Sequence, residues 1–124
     1  MFNVTCFVME KMNVNNFSEH TEQVNLVNWA RKQGIFIFSV PNGFKSSAKA
    51  CVMMKQEGLL SGVPDLIACF PNGKAVFLEM KIQGGVVSIE QKKVHKQLQE
   101  LGFDVYVCWS CFEAVKILKK YLTN

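Results

Sequence analysis

Arginine is nearly missing from this sequence: Arg31 stands alone beside thirteen lysines. A guanidinium reads a base edge with two parallel donors, whereas an ammonium acts as a point charge. The chain is therefore poorly equipped for sequence readout, and any nucleic acid it meets is held through its phosphates. Long apolar runs are missing too. None approaches the roughly 18–20 residues of a bilayer-spanning helix, which argues against a membrane protein. The opening MFNVTCFVMEKMN has no basic start and is interrupted by Thr5, Cys6 and Glu10, so it does not read as a secretory leader. Five cysteines (Cys6, Cys51, Cys69, Cys108 and Cys111) are an odd number with no regular framework. Reduced thiols in a cytoplasmic protein fit that pattern best. No Gly-rich phosphate loop and no Ser/His/Asp hydrolase motif is visible.

What remains is a core-forming chain. Its 124 residues suit a single domain, and 49% hydrophobic against 19% charged residues excludes a disordered tail. The net charge of +4 permits a polyanionic partner without requiring one.

Residues 1–17 are mixed; Phe2, Val4, Cys6 and Val8 alternate as a short strand or arm would. Ser18 to Gln33 reads as a helix, capped by Ser18 or Asn16 and stopped by Gly34. Ile35 to Val40 reads as a strand and Pro41-Asn42-Gly43 as a loop. A second helix runs from Ser46 to Glu57, capped by Ser46 or Ser47. Strands at Asp65–Phe70 and Ala75–Ile82 flank Pro71-Asn72-Gly73-Lys74. Ser88 to Leu101 is a helix with Val94, Leu98 and Leu101 on one face. Phe103 to Trp109 is a strand, and Ser110-Cys111-Phe112-Glu113 is a capping box for a last helix striped by Val115, Leu118 and Leu122. The expected fold is α/β, a mixed central sheet flanked by helices.

Asp65, Glu79 and Lys81 interrupt strands that otherwise look buried, where charge is costly unless paired or bound to metal. The hairpin loop decides whether they meet. A three-residue loop, with Pro71 opening a type I turn and Gly73 left-handed, pairs Phe70 with Lys74 and sets Asp65 opposite Glu79. Lys81 then shares the face of Glu79. A two-residue Asn72-Gly73 loop would put the two acids on opposite faces. Two converging carboxylates suit a hard divalent cation, and a neighbouring lysine can orient water or stabilise charge on a phosphorane. The bland alternative is a Glu79–Lys81 salt bridge at a strand end.

Pro64-Asp65 followed by Glu79-Met80-Lys81 resembles the PD-(D/E)xK nuclease signature. With Ser18-Glu19-His20-Thr21-Glu22-Gln23, Pro41-Asn42-Gly43, Gly62-Val63-Pro64-Asp65 and Ser88-Ile89-Glu90-Gln91, the chain resembles the VRR-NUC (virus-type replication–repair nuclease) family in its small, stand-alone, phage-like form. The likeness covers about residues 18–122. It implies a restriction-endonuclease-like core and Mg²⁺- or Mn²⁺-dependent cleavage of DNA. It also implies metal ligation by Asp65, Glu79 and the Met80 carbonyl, and a catalytic Lys81. The family places a further glutamate on the first helix, near the metal. Glu19 is favoured over Glu22 because Glu19 and Gln23 share a face, although either acid also suits a helix's first turn. Gln91 is expected in the active site as well as in a Ser88-x-x-Gln91 capping box. Asn42 and Gly43, then Lys45, Lys49, Lys74 and Lys92, are candidate phosphate contacts, each also readable as ordinary turn or solvated surface. Lys45 stands near where the family often carries arginine.

Two other readings compete. Cys108-x-x-Cys111 at a strand-to-helix junction suits a redox pair, with the Cys111 thiol lowered by a helix start; zinc is disfavoured because a second cysteine pair is missing. The fold could also serve as a catalytically silent module that clamps DNA for a partner enzyme. For the nuclease reading, a small chain acting on branched DNA in replication, recombination or repair is expected to work as a homodimer.

Overall fold

The computed structural model describes residues 18–41 and 47–122. The expected arm at residues 2–8 and the candidate contacts Asn42, Gly43 and Lys45 lie outside the described residues, as do Asn16 and Ser46.

Helix α1 (Glu19–Lys32) starts where the Ser18 hydroxyl accepts the Thr21 N–H at 3.0 Å. It leads into strand β1 (Phe36–Ser39). Helix α2 (Ala48–Gln56) is capped by Ser47, which accepts from the Ala50 N–H at 3.2 Å. Strands β2 (Leu66–Phe70) and β3 (Lys74–Met80) form the central hairpin. Helix α3 (Ile89–Glu100), strand β4 (Asp104–Cys108) and helix α4 (Cys111–Leu122) complete the order read from the sequence.

The sheet runs β1-β2-β3-β4. Pairs β1/β2 and β2/β3 are antiparallel, and α3 returns the chain so that β4 lies parallel to β3. One face (Ile37, Leu66, Ala68, Val76, Leu78 and Met80) packs against Leu26, Trp29 and Ala30 of α1 and Ala114, Val115 and Leu118 of α4. Each fully buried leucine there contributes about 1.5–3 kcal/mol. By alternation, Ile67, Phe77 and Glu79 look the other way, toward α3. A cavity of about 290 Å³ lies on that side, lined by Val63, Ile67, Phe77, Val94 and Leu98.

The helix stripes end sooner than their periodicity suggests. Leu101 is 75% exposed and Leu122 40% exposed, each at the C-terminal end of its helix.

Candidate metal centre

The hairpin settles the register in favour of the three-residue loop. Phe70 pairs with Lys74 and Leu66 with Leu78, so the next position outward sets Asp65 opposite Glu79. Gly73 is left-handed as expected, at φ 72°. Asn72 is left-handed as well, at φ 66°, which a type I turn would not require. Asparagine tolerates that region better than other residues with a Cβ.

Asp65 is fixed at both its backbone and its side chain. Its carbonyl accepts the Val40 N–H at 2.8 Å, tying it to the end of β1. Its Oδ2 accepts the Met80 N–H at 2.8 Å, across the hairpin. That second bond aims the carboxylate at the end of β3, beside Glu79.

Glu79 is only 1% exposed. Burial pushes its carboxyl up to about 9; a side-chain hydrogen bond with Asp65 and the charge of Asp65 push the same way, and Lys81 partly offsets them. Among the described residues, its Oε1 is buried without a hydrogen-bond partner. His95 of α3 stands with Nε2 at 3.4 Å from that oxygen, and among the described residues Nε2 is also without a hydrogen-bond partner. Burial holds the His95 imidazole below its ordinary range.

Around these groups is an open cavity of about 530 Å³, lined by Glu19, Asp65, Glu79, Lys81, Ser88 and Gln91 among others. Of the two candidate acids on α1, Glu19 therefore reaches the cavity. Glu22 does not: it is 3% exposed and accepts a hydrogen bond from the Cys111 backbone at the start of α4. The shared face of Glu19 and Gln23 is not what brings Glu19 there, since Gln23 lines a separate groove with His20 and Arg31.

Gln91 forms the expected capping box and lines the cavity. Its Oε1 accepts the Ser88 N–H at 2.8 Å, and Ser88 Oγ accepts the Gln91 N–H at 3.1 Å. The capping box thus holds the amide at the cavity wall, with its Oε1 engaged by the Ser88 N–H. Gly62 makes this placement possible. It has φ +93°, and a Cβ there would lie 2.5 Å from the Glu90 carbonyl oxygen, so α3 begins directly against the Gly-Val-Pro turn.

Of the lysines, Lys81 lines the cavity. Lys74 sits at the far end of β3, ~20 Å away along the strand, ion-paired with Asp104 at 2.9 Å. Lys49 and Lys92 are exposed, on α2 and α3.

The cysteine pair does not have the chemistry of a redox motif. Cys108 and Cys111 are buried, and burial pushes both thiols up to about 12. The helix start at Cys111 does not reverse this, because the thiol is desolvated and close to the Glu22 charge.

A divalent cation suits these donors. Two carboxyl groups face each other, one of them buried with an unpartnered oxygen, and they need either a proton or a cation between them. Among the described residues, no three His, Cys, Asp or Glu side chains form a cage by themselves. Magnesium is ordinarily held by one or two carboxylates and keeps several of its waters, so the Asp65–Glu79 pair is a sufficient side-chain set.

The sequence reading missed His95 and the close approach at Gly62. His95 is four residues after Gln91 on the same helix, a spacing that placed it toward the sheet. Nothing in the sequence alone signals the contact at Gly62.

No helix among the described residues is long and apolar enough to cross a membrane. A search of curated proteins found no match. Solved structures share the fold, among them two that carry the same domain description. One, a "VRR_NUC domain protein", is 20% identical over 86% of this chain and 88% of its own, with a TM-score of 0.72. The other, a "VRR_NUC domain", is 22% identical over 83% of this chain and 96% of its own, with a TM-score of 0.62. The VRR-NUC domain model matches residues 9–111, which is most of the sequence. The chain thus belongs to the VRR-NUC domain family, a membership that implies a nuclease-type, DNA-processing function.

Proposed function

We propose that this protein is a Mg²⁺- or Mn²⁺-dependent deoxyribonuclease that cuts phosphodiester bonds within branched or structured DNA. The observation that carries the reading is the facing pair Asp65 and Glu79, with one Glu79 oxygen buried and unpartnered. Asp65, Glu79 and the Met80 carbonyl would hold the ion. When bound, the cation would supply phosphate charge neutralisation and a water of lowered pKa. Lys81, on the same sheet face, orients the attacking water and offsets the charge that builds on the phosphate oxygens. Glu19 faces the same cavity and adds a third negative group on the ion's side. The Gln91 amide, held by its cap, donates to phosphate or water. The exposed Lys49 and Lys92 contact phosphates away from the cut.

The whole chain acts as one nuclease domain. It works as a homodimer, a reading supported by the exposed Phe36 and Phe38 rings, 5.8 Å apart on edge strand β1. The odd, irregularly spaced set of five cysteines in the sequence supports a reducing compartment inside a cell.

Digestion of a panel of junction, flap, nicked and linear DNAs with Mg²⁺ and with Mn²⁺ tests the proposal. Cutting of at least one substrate, abolished by excess EDTA, is expected. Tight binding to every substrate with no cutting would leave a silent clamping module instead. Light scattering tests the dimer, which a monomer at working concentration would refute.

A further inference from the structure

Two unsatisfied atoms face each other beneath the carboxylate pair. Glu79 Oε1 and His95 Nε2 are both buried, both without a hydrogen-bond partner among the described residues, and 3.4 Å apart. A buried polar atom left in this way is costly, and two of them side by side would be a defect if their separation never closed. The groups belong to different elements. Glu79 is set by the register of β3 against β2, whereas His95 is delivered by α3, whose first turn lies directly against Gly62. The same contact that seats Gln91 at the cavity wall thus brings His95, one turn further on, under Glu79. The ionisable groups facing His95 are Glu79, Asp65 and Lys81.

We propose that His95 is the positioning residue of the metal centre: its Nε2–H donates to Glu79 Oε1, fixes the carboxylate's rotation, and leaves the second oxygen for the ion. This rests on the metal-dependent reading above. Asp65 already has such an orienting donor in the Met80 N–H. Glu79 lacks an equivalent from the backbone, and His95 supplies it. A buried carboxylate without a donor on its inner oxygen would be both unstable as an anion and free to rotate away from the cation. Outer donors of this kind are typically worth tenfold or more in metal affinity.

The test is Mn²⁺ binding by isothermal calorimetry, with thermal melting in EDTA, for the unmodified protein, His95→Leu and His95→Gln. His95→Leu should bind Mn²⁺ at least about tenfold more weakly. His95→Gln, which retains an N–H donor, should recover part of the loss. If His95→Leu does not fold, His95→Phe takes its place, keeping a ring and removing the donor. Unchanged Mn²⁺ affinity in the donor-less variant would overturn the inference. So would equal losses in the Leu and Gln variants that follow their melting temperatures, because His95 would then be only packing. An unmodified protein that binds no Mn²⁺ would instead overturn the metal-dependent reading, and this inference with it.

Discussion

Gly62 and Glu90 meet at backbone distance: a Cβ added to Gly62 would stand 2.5 Å from the Glu90 carbonyl oxygen and 2.8 Å from the Gln91 nitrogen. The Gly-Val-Pro-Asp turn therefore does two things at once. It carries Asp65 to the hairpin, and it lets α3 begin close enough for Gln91 to reach the cavity.

Gly62→Ala should be one of the most damaging single changes in the chain. The residue adopts φ +93°, and the added methyl has backbone in its way rather than a flexible side chain. Backbone strain alone is worth about 1–3 kcal/mol. Urea unfolding should show at least that loss, and cleavage should fall with it. A Gly62→Ala protein of unchanged stability would mean that α3 is not seated on this turn.

Glu79→Gln separates stability from function. The folded Glu79 carboxyl is raised from an ordinary value of 4.5 to about 9, so the folded state binds the extra proton between those values. Its contribution to stability is fully present below the unfolded value and is lost as pH rises toward about 9. In EDTA, the unmodified protein should become less stable across that window. Glu79→Gln, which resembles the protonated acid, should lose much less, and it should be inactive at every pH. Parallel pH–stability curves for the two proteins would contradict the assignment.

Lys81→Ala should lower cleavage by roughly a hundredfold or more, as removal of a donor from developing charge does. Circular dichroism and DNA binding by fluorescence anisotropy should change little, because Lys81 is only partly buried and lies outside the hydrophobic core. Undiminished cutting would remove it from the mechanism.

Tyr121→Phe probes the other end of the sheet. The Tyr121 hydroxyl donates to Asp104 Oδ2 and meets the Tyr106 hydroxyl at 2.8 Å, while Lys74 pairs with the same Asp104 oxygen at 2.9 Å. Losing this bond should cost about 1 kcal/mol in urea unfolding. Specific activity should be unaffected, since the cluster lies at the opposite end of β3 from Glu79. A large loss of activity without a loss of stability would place Tyr121 in the site.

Local patterning made most of the fold legible. Ser18 and Ser88 caps, the Gly34 stop, and alternation in β2 and β3 act over a few residues, and each described element appears within a residue or two of its expected ends. The hairpin register was a choice between two loops that the sequence alone left open. Pro71 and the left-handed pair Asn72-Gly73 resolve it toward the longer one. Tertiary placement was less legible. Glu19 and Glu22 are both first-turn acids, and only the packing of α1 against α4 turns Glu22 to the Cys111 backbone and leaves Glu19 at the cavity. His95 carried no signal of its contact because its partner, Glu79, is sixteen positions away on another element. Cys111 looked activated by its helix start, but burial outweighs that influence.

The most direct measurement is anomalous scattering from crystals grown with Mn²⁺. A manganese peak bonded to carboxylate oxygens of both Asp65 and Glu79 is the expected result. A map in which the two side chains diverge, with no peak between them, would contradict the account.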